Sequence, residues 1–235
     1  MWLAGNSGPF RVHKLEVESP SASGLKILHI SDLHFAPGQT AKQQFLKELA
    51  DLKPDLVINT GDNLGHKDAI NPTLRALEPL LEFPGVLVNG SNDYRAPKPR
   101  NPIRYFTGPS KVQAGQALDT NRFMRELVGA GWQDINNKSA RLEIQGISLG
   151  FMGLDDPHDH LDELESLGQQ ATEIINADLR IGVAHAPYMR VIDAFLENHA
   201  SLMFAGHTHG GQICLPGQKA LVTNCDLPTE FASGL

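Results

Sequence analysis

No stretch of the sequence approaches the roughly 18 uninterrupted apolar residues of a membrane span, so no segment reads as a transmembrane helix. The opening MWLAGNSGPF lacks both a basic start and an apolar core, so a secretory signal is not indicated. Cysteine is scarce: Cys214 and Cys225 are the only two in 235 residues, without the paired spacing of a zinc ribbon. That excludes a disulfide framework and fits a reducing, cytoplasmic compartment. Positive charge is in deficit, 20 Lys and Arg against 27 Asp and Glu for a net −7, which disfavours broad nucleic-acid binding through phosphate neutralisation. Internal repeats and low-complexity tracts are also lacking. What is present is 41% hydrophobic residues, enough for a real core, in a length that suits one elaborated domain over residues 1–235. Ten histidines are present too, several in compact polar or glycine-rich contexts: DLH at 32–34, AHAP at 184–187 and GHTHGG at 206–211.

The apolar runs are short and end in turns containing glycine or aspartate, the pattern of buried strands feeding loops. KILHI (26–30) is followed by helical spacing at Ala41, Phe45, Leu49 and Leu52, stopped by Pro54. DLVIN (55–59) precedes a helix carrying Ile70, Leu74, Leu77 and Leu81, and GVLVN (85–89) is the third strand. A long loop rich in proline and basic residues then runs over 93–117, where Pro97, Pro99, Pro102 and Pro109 exclude a regular helix or central strand. A helix through Phe123, Met124, Leu127 and Val128 follows, and RLEIQ-GISLGFMG alternates across Gly146 like an antiparallel hairpin. The pattern resumes with LRIGVA (179–184), a helix with Val191, Ile192, Phe195 and Leu196, and SLMFA (201–205). Alternating strands and helices with one hairpin predict an α/β sandwich of mixed sheets. Residues 1–24 read as an N-terminal extension or edge strand.

Five of the strands are followed at once by side chains able to hold a metal. These are Asp32 and His34, Asp62, Asn92, His185, and His207 with His209. Loops at the carboxyl ends of strands form the usual ligand crevice of α/β sheets, so the five turns are expected to converge. Carboxylate, imidazole and amide oxygen without thiolate suit manganese, iron or zinc. Seven ligands are too many for one such ion; two ions sharing a bridging aspartate fit, as in two-metal hydrolytic sites. Two divalent ions would also outweigh their aspartates and a bridging hydroxide by about one positive charge, which draws an anionic phosphate into an acidic protein.

The ordered set D-x-H (32–34), G-D (61–62), G-S-N-D (90–93), H (185) and G-H-x-H (206–209) resembles the calcineurin-like metallophosphoesterases from about Lys26 to Gln212. The resemblance implies a four-layer α/β/β/α sandwich with a dinuclear centre of divalent or mixed-valence Mn, Fe or Zn. The implied activity is hydrolysis of a phosphomonoester, phosphodiester or pyrophosphate through a metal-bridging hydroxide. By position, Asp32, His34 and His209 would hold one metal, Asp62 would bridge, and Asn92, His185 and His207 would hold the other. HISDLH with GHTHGGQ is most similar to bacterial members related to UDP-diacylglucosamine pyrophosphatases and lipid-linked phosphoesterases. That implies a small anionic substrate, with a lipid link and peripheral membrane association as extensions of the reading. Two departures stand out. The family reads G-N-H-D/E where this chain has Gly90-Ser91-Asn92-Asp93, so either Asn92 supplies the amide ligand or Ser91 takes its place with Asn92 at the histidine. In either register the usual histidine acid is absent. After GHTHGG the family has further strands, and the reading leaves part of the second sheet lacking.

The remaining candidates carry blander alternatives. His66, four residues after Asp62, is the candidate substitute acid. His158 and His160 in DDPHDH read as a solvated acidic turn, with His158 on the substrate cleft as the alternative. His29 reads as a packed core histidine, and His13 and His199 as surface residues. Arg95, Lys98, Arg100, Arg104 and Lys111 have no acidic residue among them, and of these Arg95, Lys98 and Arg104 are the candidate substrate-steering cations, against a solvated loop. The rival to an enzyme is a weakly or non-catalytic metal-binding module that holds a phosphorylated ligand or protein, favoured by the absent histidine.

Overall fold

The computed structural model describes residues 10–97, 115–209, 213–215, 219–222 and 224–231. Two four-stranded sheets face each other. The first is built from β1 (Ile27–Ile30), β2 (Leu56–Asn59), β3 (Gly85–Leu87) and β4 (Gln133–Asp134) in that order, parallel throughout. The sequence pattern predicts mixed pairing in both sheets. It occurs only in the second, because each step in the first is a crossover that returns the chain to the same end. The helices of those crossovers are α1 (Thr40–Glu48), α2 (Ile70–Leu77), a single turn α3 (Ser91–Tyr94) and α4 (Thr120–Gly129).

The second sheet has the order β5 (Ser139–Ile144), β6 (Ile147–Gly153), β7 (Leu179–Val183) and β8 (Leu202–Phe204). The β5–β6 pair is the antiparallel hairpin across Gly146, while β6–β7 and β7–β8 are parallel and are joined through α5 (Leu167–Glu173) and α6 (Met189–Glu197). Beyond them β9 (Ile213–Leu215) and β10 (Lys219–Val222) pair antiparallel as a separate two-stranded sheet. Residues 10–24 contain no strand, so the edge-strand reading of the N-terminal segment does not hold for them.

The period-2 alternation of strands sorts side chains into layers. Leu56, Ile58, Val86 and Val88 of the first sheet meet Leu149, Phe151, Leu179, Ile181 and Val183 of the second in one buried core. Val57 and Leu87 face the other way, onto Leu46, Leu77, Phe123 and Leu127 of the outer helices. Met152 and Leu154 pack on Leu167, Val191 and Phe195. The layer order is therefore α/β/β/α. Strands buried on both faces explain why LVIN is fully apolar up to its last residue. The carboxyl ends of both sheets meet at one edge, where the imidazole Nδ1 of His185, after β7, lies 2.8 Å from the carbonyl of Thr60, after β2.

Candidate metal centre

The loops after β1 and β2 run side by side. The amides of Asp32, His34 and Phe35 donate to the carbonyls of Gly61, Asp62 and Asn63 at 2.9, 2.9 and 2.8 Å. This ladder holds Asp32, His34 and Asp62 in the left-handed region, at φ 51°, 39° and 54°, and His207 and His209 adopt it too at 70° and 51°. Non-glycine residues there cost on the order of 1–2 kcal/mol each, and five of the ten that the described residues contain gather at this one place.

Two lobes result. In one, Nε2 of His34 and of His209 lie 3.3 Å apart, at 3.8 and 3.5 Å from Asp32 Oδ1. In the other, Nε2 of His185 is 3.2 Å from Nδ1 of His207 and 3.5 Å from Asp62 Oδ2. Asp62 Oδ2 is also 3.6 Å from His34 Nε2, so this carboxylate reaches both lobes. Asp32, His34 and His209, and separately Asp32, Asp62 and His185, bring one ligand atom each within 4.8 Å of one another.

The donor set fits a cation. A carbonyl only accepts, so Thr60 fixes the proton of His185 on Nδ1 and leaves Nε2 pointing at Asp62 and His207, as a second-shell carbonyl does for a metal-bound imidazole. Asp32 Oδ1 and His207 Nε2 are buried without a hydrogen-bond partner among the described residues, a cost that a bound ion would offset. The other oxygen of Asp32 is already saturated, accepting from Ser31 Oγ at 2.5 Å and the His207 amide at 2.8 Å.

Electrostatics without a metal follow from this crowding. Burial opposes ionisation of Asp62, but His185, His34 and the Asn92 amide outweigh it and hold the carboxyl far below its usual range. Burial likewise opposes a charge on His185, yet Asp62 and Asp32 raise it well above an ordinary histidine. His207 is pushed down to about 3 by burial and by the neighbouring His185 and His158.

Asn92 reaches Asp62 twice, its amide N–H donating to Oδ1 at 2.8 Å and its Nδ2 to Oδ2 at 2.6 Å. The side-chain nitrogen thus faces the carboxylate, whereas a cation would take the amide oxygen. His66 is elsewhere: its Nδ1 accepts from the Asp68 amide at 3.1 Å, and its ring contacts stay within its own exposed loop. His158 is at the centre instead. Its ring lies 4.7 Å from that of His207 and its Nδ1 2.9 Å from the Tyr188 hydroxyl, so the solvated-turn reading of DDPHDH fails for His158. The cause is Asp156, whose buried carboxylate accepts from the amides of His158 and Asp159 at 3.0 and 3.2 Å and turns the loop inward. Arg95 is exposed just after α3, while Lys98, Arg100, Arg104 and Lys111 lie outside the described residues. His29 contacts Thr60 Oγ1 at 2.9 Å and the Phe204 ring, but it is exposed on β1, so it is a partnered surface residue and not the core histidine expected.

A profile of the calcineurin-like phosphoesterases matches residues 25–211. Similar curated proteins include a metallophosphoesterase of Aquifex aeolicus, named as uncharacterized, at 27% identity over 224 residues, covering 90% of this chain and 74% of that protein. The metallophosphoesterase YkoQ of Bacillus subtilis, likewise named as uncharacterized, is 24% identical over 225 residues, covering 92% and 74%. A transmembrane protein with a metallophosphoesterase domain from Bos taurus is 25% identical over 218 residues, covering 86% of this chain and 43% of that protein. Among solved structures, purple acid phosphatase PPD1 from yellow lupin seeds aligns with a TM-score of 0.51 at 14% identity, over 81% of this chain and 39% of that one, a likeness of fold alone.

Proposed function

The chain belongs to the calcineurin-like phosphoesterase family and is thereby a metal-dependent phosphoric ester hydrolase; from that premise we propose that its two lobes hold two divalent cations at once and act on a small anionic phosphoester. The observation that carries this reading is the pair of imidazole couples, His34 with His209 and His185 with His207, joined by one carboxylate, Asp62. We assign Asp32, His34 and His209 to one ion, His185, His207 and Asn92 to the other, and Asp62 to both. When bound, such ions supply an activated water and the Lewis acidity that in-line displacement at phosphorus requires. The chain's own groups do the rest. Thr60 holds the His185 ring in register, and Arg95, exposed just after the turn that carries Asn92, would draw in the phosphate as a cation. His158 forms the wall beside His207, where a leaving group would lie.

The binding-module reading keeps one observation in its favour: the family's histidine acid is absent at 91–92, and His66 is turned to Asp68. Turnover of bis(p-nitrophenyl) phosphate by manganese-loaded protein, abolished by EDTA, supports the enzyme. Two bound equivalents of metal with no turnover of mono-, di- or pyrophosphoesters would leave the module. No helix among the described residues is long and apolar enough to cross a membrane. A lipid-linked substrate met at a membrane surface is the finer reading, supported by the motif resemblance and by relatives named as transmembrane proteins. Flotation with anionic vesicles tests it, and failure to float would restrict the substrate to free phosphoesters.

A further inference from the structure

Behind Asp62 lies a closed chain of hydrogen bonds that touches none of the seven ligand side chains. Asn59, Asn63 and Asp93 are all fully buried. Asn59 Oδ1 accepts from the Gly61 amide at 2.9 Å, and Asp93 Oδ1 accepts from the Asn63 amide at 2.8 Å. The two residues that flank Asp62 are thus each pinned by a side chain. Those side chains are linked in turn, since Asn59 Nδ2 donates to Asn63 Oδ1 at 2.8 Å and Asn63 Nδ2 to Asp93 Oδ2 at 3.3 Å.

Asp93 also closes its own turn, its Oδ2 accepting from the Gly90 amide at 3.1 Å. Gly90 packs so closely on Asp62 that an added Cβ would lie 2.3 Å from its Oδ1. One carboxylate therefore fixes the turn that carries Asp62 and the backbone that walls it. The main chain of Asp93 is itself anchored, its carbonyl accepting from Thr120 Oγ1 at 2.6 Å. No cation pairs with Asp93 among the described residues, and a buried carboxylate in that state is costly unless its hydrogen bonds are complete.

We propose that Asp93, acting through Asn63 and Asn59, is a positioning residue that holds the Asp62 carboxylate between the two lobes, and that this network sets the affinity of both ions. The inference rests on the two-metal reading above. Every partner of the Asp93 carboxylate is an N–H donor, so an acceptor is required there and an amide of the same shape does not serve.

The test is a swap. Asp93→Asn turns a donor toward Gly90 or Asn63, and Asn63→Asp sets two carboxylates face to face. Each single variant should weaken both manganese equivalents on the order of tenfold or more, as outer-shell changes do. In the double variant the carboxylate at 63 accepts from Asn59 and from the amide at 93, which restores every bond except that of Gly90. Its affinity should return to within about threefold of wild type. Titration calorimetry of the metal-stripped proteins measures this, with unfolding temperature in EDTA recorded alongside. A purely structural role would lower that temperature in the single variants and leave the affinity of folded protein unchanged, which overturns the proposal. So would a double variant no better than the singles. If Asp93→Asn does not fold, comparison of Asn63→Asp with the double variant decides alone. Wild type binding fewer than two equivalents would instead refute the two-metal reading, a result distinct from failure of the swap.

Discussion

At the scale of single residues, the roles proposed for the ligands separate by stoichiometry. Asp62 Oδ2 lies within 3.6 Å of nitrogens from both lobes, whereas His34 pairs with His209 in one. Asp62→Asn removes negative charge from both ions and is expected to retain less than about half an equivalent of metal; His34→Ala should retain about one. Mass spectrometry of the native proteins counts the ions, and two full equivalents in Asp62→Asn would contradict the bridging assignment. The acid is a second question. A positioned general acid contributes about 10²–10⁴-fold and matters more as the leaving group becomes more basic. With no histidine at 91–92 and His66 bonded to Asp68, log kcat/KM should fall steeply with leaving-group pKa across aryl and alkyl diesters. His66→Ala should not change that slope. A shallow slope that steepens in His66→Ala would restore His66 as the acid, and one that steepens in His158→Ala would move the role to the side chain beside His207.

At the scale of elements, the site exists because loops from two sheets touch, and glycine makes the touch possible. Gly206 precedes His207, and a Cβ there would lie 1.8 Å from Ser31 Oγ and 2.4 Å from Asp32 Oδ2. Gly206→Ala must push the loop after β8 off the loop after β1, an overpacking cost of about 1–3 kcal/mol. It should also empty the lobe of His34 and His209, since the His207 amide can no longer reach Asp32. The control is Gly168→Ala in α5, where the new methyl meets only Asn198 Oδ1 at 3.9 Å and the helix gains stability. Thermal unfolding with metal counting distinguishes the two variants, and an undiminished metal content in Gly206→Ala would mean that the loops do not depend on this contact. How much of this was legible in the sequence follows the same division. Strands and their terminal ligands could be read because LVIN, GVL and LRIGV are short apolar runs interrupted by Asp, Asn or His at the sheet edge. The pairing of the first sheet could not, since nothing local in β1 says whether its neighbour runs parallel, whereas the turn at Gly146 marks β5 and β6 as antiparallel. His158 was legible only as an alternative, because its approach to His207 depends on Asp156 folding an acidic turn inward, a contact between side chain and backbone that composition disguises as solvated surface. The Asn59–Asn63–Asp93 network was hidden for a related reason: each member reads singly as a turn residue.

At the scale of the whole molecule, strain and buried charge at one edge make stability depend on occupancy and on pH. Five ligand candidates at positive φ and two orphaned polar atoms are tolerated by the apolar core between the sheets. Metal binding is therefore coupled to folding, and manganese at about 100 times its dissociation constant should add roughly 2.7 kcal/mol for each site filled. Asp156 shows how pH enters. Burial, reinforced by Asp62 and Asp159, pushes its carboxyl up to about 7, although His185 and the His158 amide oppose the shift. A folded-state pKa raised above the ordinary carboxylate value means that the native protein binds a proton which the unfolded chain releases. The stability this group contributes is thus present in acid and is lost as pH rises through about 7. Asp156→Asn removes the titration, so in EDTA the unfolding temperature of the variant should gain on wild type between pH 5 and pH 8. Loading both proteins with manganese at pH 8 should shrink that gain, because cations held by the neighbouring Asp62 and His185 favour the ionised carboxylate. A difference between variant and wild type that stays constant across the range would show that Asp156 is ionised throughout in the metal-free fold, and that the edge where the sheets meet is wetter than its burial indicates.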